Sequence, residues 1–234
     1  MRRLPRVLLS VAVTATVLQV PVAAQAGQPP SDDYVSSRPA PGRFPLVEHG
    51  VAAPIVVSAS DFAGVIRVAD DLQSDIAKVT GVTPSLTHDT IPNRRDIVLV
   101  GTIGKSTLID KLIAERKLDV RDIRGKWETT VETIVNDPLP GVRRAFVIAG
   151  SDQRGTIYGA YDVSKRIGVS PWYWWDDVPA ARHDALYLLP GRHSQGTPAV
   201  KYRGFFINDE NPQTGEWARR STSARGRPPA TRAG

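Results

Sequence analysis

At 234 residues, 41% of them hydrophobic and 23% charged, the chain has a globular composition with enough length for one sizeable core and a fragment of a second domain. Wholesale disorder and collagen-like or coiled-coil arrays are excluded. With no cysteine, so are disulfides, cysteine-ligated zinc and thiol catalysis. The ends carry the net charge of +6, and residues 27–217 hold 22 basic against 24 acidic side chains, a balance that argues against nucleic acid as a partner.

Residues 1–26 read as a signal peptide. Arg2, Arg3 and Arg6 precede an apolar stretch from Val7 to Ala24, and Ala24-Gln-Ala26 is a small-x-small cleavage site. The expected location is therefore secreted, extracellular or periplasmic. No second apolar span follows, so no membrane association is expected after signal removal. Residues 27–50, rich in Pro, Ser, Gly and Asp, predict a linker.

From residue 51 the pattern becomes regular. Residues 54–58 predict a short buried strand, and Ser60 and Asp61 offer N-caps for a helix over 62–80. Val65, Val68, Leu72, Ile76 and Val79 share one face of that helix, and Gly81 suits its end. Residues 96–102 predict a buried strand. Ser106 then caps a helix with Leu108, Leu112 and Ile113 along one side. Residues 127–135 alternate β-branched and polar side chains, which predicts a strand with one face in water. A turn over 137–141 leads to a buried strand at 144–150, a helix over 155–167 and a short strand at 185–189. The expected class is α/β, a layered strand–helix domain over 51–192.

Gly101-Thr-Ile-Gly-Lys-Ser106 lies between a strand and a helix, where a phosphate-binding loop would sit. That loop needs glycine where this chain has Leu99, and the connection is too short to encircle an anion, so an ordinary strand–turn–helix cap is the better reading. His49, His88, His183 and His193 lack metal-ligand spacing, so no metal or other cofactor is expected. Ser151 and Ser170 have no base at readable spacing. Arg154 and Gly155 fit a strand-to-helix turn. Of Trp172, Tyr173, Trp174 and Trp175, four consecutive aromatics, at least half must pack between domains rather than stack on sugar, because they cannot share one face.

Two stretches are more specific. One is Ala149-Gly-Ser-Asp-Gln-Arg-Gly-Thr-Ile-Tyr-Gly-Ala-Tyr161, running on to Ile167-Gly-Val-Ser-Pro-Trp-Tyr-Trp-Trp-Asp-Asp-Val-Pro179. The other is Tyr202-Arg-Gly-Phe-Phe-Ile-Asn-Asp-Glu210. Together they resemble glycoside hydrolase family 115, the α-glucuronidases that remove glucuronic or 4-O-methylglucuronic acid from xylan. The resemblance runs over about residues 52–217. It implies an N-terminal accessory domain followed by a (β/α)8 barrel whose first strand begins within 193–217, with Asn208 and Asp209 at the sugar-binding end of that strand. Glucuronoxylan or its oligosaccharides is the implied partner, and inverting hydrolysis the implied reaction. Lys165 departs from the acidic residue expected there in many relatives.

A barrel takes about 250 residues, and 35 follow Ala199. Inverting hydrolysis needs two carboxylates roughly 6.5–9.5 Å apart across the scissile bond. Asp209 and Glu210 are neighbours on a strand and point to opposite faces. The general acid and base are thus expected in the barrel, and this chain is expected to be inactive alone. Residues 218–234 read as a disordered basic tail, and two origins fit: out-of-frame reading of a GC-rich gene, or a genuine tail. The alternative function is a secreted carbohydrate-binding or domain-interaction module without catalysis.

Overall fold

The computed structural model describes residues 34–173 and 177–204. The expected signal peptide, Trp174, Trp175, Asn208, Asp209 and the expected basic tail lie outside them. The elements in chain order are β1 (Val35–Ser36), β2 (Phe44–Glu48), β3 (Val51–Ala52), β4 (Ile55–Val57), α1 (Ala63–Thr80) and β5 (Leu86–His88). Next come β6 (Asp96–Thr102), α2 (Thr107–Ala114), β7 (Thr130–Asn136), β8 (Arg144–Gly150), α3 (Gln153–Arg166), β9 (Leu186–Leu188) and β10 (Arg192–His193).

Six strands form one sheet in the order β10-β7-β8-β6-β4-β5. β5, β4, β6 and β8 are parallel, and β7 and β10 join antiparallel. The parallel strands are continuous apolar runs because both faces of the sheet are covered. Alternation along β6 divides the core: Val98 and Val100 face α1 and α3, whereas Ile97 and Leu99 face α2. This is the expected layered α/β class.

Local chemistry explains the helices. Val65, Val68, Leu72, Ile76 and Val79 of α1 are buried as their spacing predicts, and Gly81 ends the helix at φ 75° with its N–H donated to the Ala77 carbonyl. In α2 the buried positions are Ile109 and Leu112, while Leu108 and Ile113 are only partly covered. The Ser106 hydroxyl accepts from the Ile109 amide at 3.4 Å. α3 starts earlier than its sequence suggests, because the Asp152 carboxylate caps the Gly155 amide at 2.8 Å.

Three features differ from the sequence reading. Residues 34–50, read as linker, belong to the fold: Tyr34, Phe44, Leu46 and Val47 are buried in the main core. A second sheet, β1-β9-β2-β3, carries them. β2 and β9 have too few residues to register as a sheet by pattern, and their pairing joins segments about 140 positions apart. The predicted wet face of β7 is covered, since α3 and β10 both pack on that strand, and its polar residues Thr130 and Glu132 are buried. Neither Ser60 nor Asp61 is the N-cap of α1. That position is Phe62, with no side-chain cap, and Asp61 instead accepts from the amides of Phe62 (2.8 Å) and Thr102 (2.7 Å).

Candidate functional site

The turns that follow β4, β6 and β8 meet at one edge of the sheet, the edge where open α/β folds bind ligands. Here the crevice between β4 and β6 is filled by the chain itself. Asp61 occupies the Thr102 amide, the Ser60 hydroxyl donates to the Lys105 carbonyl at 3.0 Å, and the Asp110 carboxylate holds the Gly104 amide at 2.9 Å. A Cβ on Gly101 would lie 2.5 Å from Ser106 Cβ, so this glycine serves the close approach of α2. The residues that resemble a phosphate loop build a strand–turn–helix junction.

Farther along the same edge the chain leaves the domain, and there a charged and aromatic cluster forms. Glu128 is buried, although its neighbours Trp127 and Tyr158 are only partly so. Its carboxylate receives Arg154 at 2.9 Å on one oxygen and Arg203 on the other. The Arg203 guanidinium also lies 5.9 Å from the Trp127 ring and 5.8 Å from the Tyr158 ring, and it donates to the Tyr158 hydroxyl at 3.4 Å. Such a planar cation suits both roles, as a hydrogen-bonding fork and as a stacking plate. Hydrogen bonding from Arg154, then from Arg203, holds the Glu128 carboxyl below its ordinary range. The cluster is charged and closed at neutral pH.

The backbone is set to aim that carboxylate. Glu128 sits at φ 51°, a left-handed conformation that costs a non-glycine residue about 1 kcal/mol or more. Asp152 secures it by accepting the Glu128 amide at 2.8 Å with one oxygen while capping α3 with the other. Gly155 brings α3 close enough for this, since a Cβ there would lie 2.2 Å from the Thr129 carbonyl oxygen. The expected turn role of Arg154 and Gly155 is thus seen in detail, and Arg154 adds an ion pair that sequence spacing does not disclose. The Ser151 hydroxyl donates to the Thr129 carbonyl at 3.0 Å and accepts its amide at 3.2 Å. The Ser170 hydroxyl accepts from the Trp172 amide at 3.1 Å. Neither is arranged as a nucleophile.

Of the other candidates, Trp172 is 57% exposed, and Tyr173 is half-buried against the main core with the Lys78 ammonium 5.3 Å from its ring centre. Lys165 is exposed on α3. His49 and His88 are exposed, His183 is half-buried, and His193 stacks on Tyr34 at 4.1 Å. Among the described residues no group of three or more His, Asp or Glu is placed to hold a metal ion. A groove of about 670 Å³ lined by Arg95, Lys111, Lys117 and Arg143 lies near the starts of β6 and β8, at the opposite edge from the Arg203 cluster.

Arg203, which the cluster holds, stands five positions before Asn208, the first of the two residues to which the resemblance assigns a sugar-binding place. The model of glycosyl hydrolase family 115 matches residues 195–231, a span that contains Arg203, Asn208 and Asp209 and runs beyond Trp217. A solved structure of a family 115 4-O-methyl-α-glucuronidase with specificity for decorated arabinogalactans matches with a TM-score of 0.56 at 34% identity. The chain is related to glycosyl hydrolase family 115. The similarity covers 72% of this chain and 20% of the solved one, so the chain spans about a fifth of that relative. No curated protein matches it. The cluster of Trp127, Glu128, Arg154, Tyr158 and Arg203 ties the α/β domain to the family-matching segment. The sequence marks the Tyr202-Arg203 stretch only as part of the resemblance and gives Glu128 no role. Their contact joins residues 75 positions apart.

Proposed function

We propose that the described α/β domain is the accessory domain of a secreted glycoside hydrolase of family 115, an α-glucuronidase that releases glucuronic or 4-O-methylglucuronic acid by inverting hydrolysis. Residues 1–26 are its signal peptide, and the start of its catalytic barrel, expected from residue 193, comes after β10, because His193 pairs with β7 in the sheet of the α/β domain. The observation that carries the reading is the 34% identity to a 4-O-methyl-α-glucuronidase across the described fold. The clamp on Arg203 supports it physically, because it anchors the chain five residues ahead of Asn208 to the sheet of the α/β domain. A carboxylate and an amide at that place can hold sugar hydroxyls or orient a water.

The substrate class is a glycan decorated with glucuronic acid, with glucuronoxylan our first choice and decorated arabinogalactan the second. Asp209 and Glu210, adjacent on one strand, cannot face each other across a glycosidic bond. Those two residues are therefore not the acid and base pair of the reaction, and the second carboxylate is expected from another barrel strand. The test is uronic acid release from glucuronoxylan and from decorated arabinogalactan, by the chain alone and by the chain fused in frame to the barrel of a family 115 enzyme. We expect none from the chain alone and release from the fusion, with Asp209→Asn in the fusion lowering it at least 10-fold. Tight binding of glucuronoxylan by the chain alone, with no release from the fusion, would replace this reading with a binding module.

A further inference from the structure

The side chain of Glu132, midway along β7, is fully buried, and among the described residues neither carboxyl oxygen has a hydrogen-bond partner. Both states of such a group are costly in an apolar interior, the ionised one far more so. It points at α3, where one oxygen would lie 2.8 Å from a Cβ on Gly159. Thr130, its neighbour on the same strand, donates instead to the Ala149 carbonyl at 3.3 Å.

The groups around it come from four directions. Asp162 and Arg166 face it from α3, paired with each other at 2.6 Å. Tyr34, ahead of β1, donates its hydroxyl to Asp162 at 3.3 Å and lies under the Arg166 guanidinium at 4.8 Å. His193 of β10 sits directly across the antiparallel ladder from Glu132 and so on the same face of the sheet, stacked on Tyr34. Burial, reinforced by the Asp162 carboxylate, pushes the Glu132 carboxyl up to about 8, against opposing contributions from Thr130 and Arg166. On the side toward the sheet edge its flank is covered by His193 of β10, a strand of two residues. Beyond the ladder that strand is held by Arg192 on Asp122 and on the Asp119 carbonyl, and by the Thr133 hydroxyl donating to the Gly191 carbonyl at 2.8 Å.

We propose that Glu132 is a proton-operated latch for β10: while its carboxyl is protonated the edge strand stays docked over it, and when it ionises beside Asp162 the strand and the chain that follows are released. Ionisation needs water, and displacing the two-residue edge strand with His193 would open the flank of this carboxyl to it. The chain after β10 leads through Arg203 to Asn208, so under the function proposed above the latch regulates how firmly the sugar-binding strand is seated. That last step alone rests on the glucuronidase reading.

The test is trypsin cleavage after Arg192, counted by mass spectrometry relative to cleavage after the exposed Arg94, at pH 7 and pH 9. A group titrating at about 8 is ionised roughly one part in ten at the lower pH and nine in ten at the higher, so the ratio should rise roughly ninefold in the wild-type chain. In Glu132→Gln, which keeps the shape and cannot ionise, it should change less than twofold. A rise that persists in the variant, or no rise in the wild type, overturns the latch. If the variant fails to fold, the wild type decides: the Glu132 carboxyl carbon shift, followed by NMR, should titrate with a midpoint near 8, and a midpoint below 6 overturns the proposal. Cleavage and chemical shift do not depend on uronic acid release, so failure of the enzyme reading leaves this result standing on its own.

Discussion

Glu128 and Glu132 lie one short stretch of β-strand apart and have opposite fates. Glu128, at the mouth of the sheet, is met by two guanidinium groups and is held as an anion. Glu132, four residues on, is buried against α3, and this burial, reinforced by the Asp162 carboxylate, keeps its carboxyl protonated at pH 7. Neither side chain is open to solvent, but Glu132 lies deep against α3 whereas Glu128 is covered by surface side chains, so depth of burial and the presence of cations act together. A carboxylate in a protein is stabilised by its partners, and where they are missing the proton itself becomes the partner.

The contrast can be broken first at Glu132. Its proton uptake in the folded state exceeds that in the unfolded state, where it titrates near 4.5. Between about pH 4.5 and 8, rising pH therefore favours the unfolded chain, and above 8 the penalty stays constant. Glu132→Gln should abolish a loss of about 3 kcal/mol across that window, seen in urea unfolding at pH 5 and pH 8. An equal slope in the variant and the wild type would show that the carboxyl is not held neutral.

Closing the space around the same group is the next largest change. A Cβ on Gly159 would lie 2.5 Å from Thr130 Oγ1 and 2.9 Å from Ile148 Cγ2. Gly159→Ala should therefore cost about 2 kcal/mol through forced displacement, measured as a fall in the urea midpoint at unchanged slope. No fall would mean that α3 can shift freely away from β7.

Asp152 is the link that serves Glu128. Asp152→Ala removes both the cap of α3 and the acceptor of the Glu128 amide, and should cost about 1–2 kcal/mol. Asp152→Asn should restore most of the cap. Comparing thermal midpoints of the two variants separates the cap from the charge.

The smallest global effect is expected from Glu128→Gln. The cluster is at the surface, so the thermal midpoint should hardly move, while amide exchange at residues 201–204 should quicken as Arg203 loses its anion. In the wild type the lowered titration of Glu128 implies that this contact is present above the ordinary glutamate range and is lost as pH falls through the lowered value. Exchange at 201–204 should then be slow at pH 5 and faster, after correction for intrinsic rates, near pH 2.

Much of the layered domain was legible because its signals are local. The apolar runs of β4, β6 and β8, the spacing of α1 and the glycine that ends it each require only a few neighbouring residues to recognise. Residues 34–50 were misread because their composition is that of a loop, although Tyr34, Phe44 and Leu46 fill the core beside Phe146. β7 was misread because alternation of polar and apolar residues looks the same whether the polar face meets water or a helix. The Arg203 clamp was not legible, since nothing near Glu128 in the chain announces a guanidinium that arrives 75 residues later.

From the sequence alone came the α/β class, the order of its principal strands and helices and the likeness to family 115, because periodicity, capping and motif identity are written in short stretches. Tertiary structure decided which carboxylate is an anion and which keeps its proton. That outcome depends on the distances to Arg154, Arg203, Asp162 and Arg166, and those distances exist only once α3 and β10 have closed over β7.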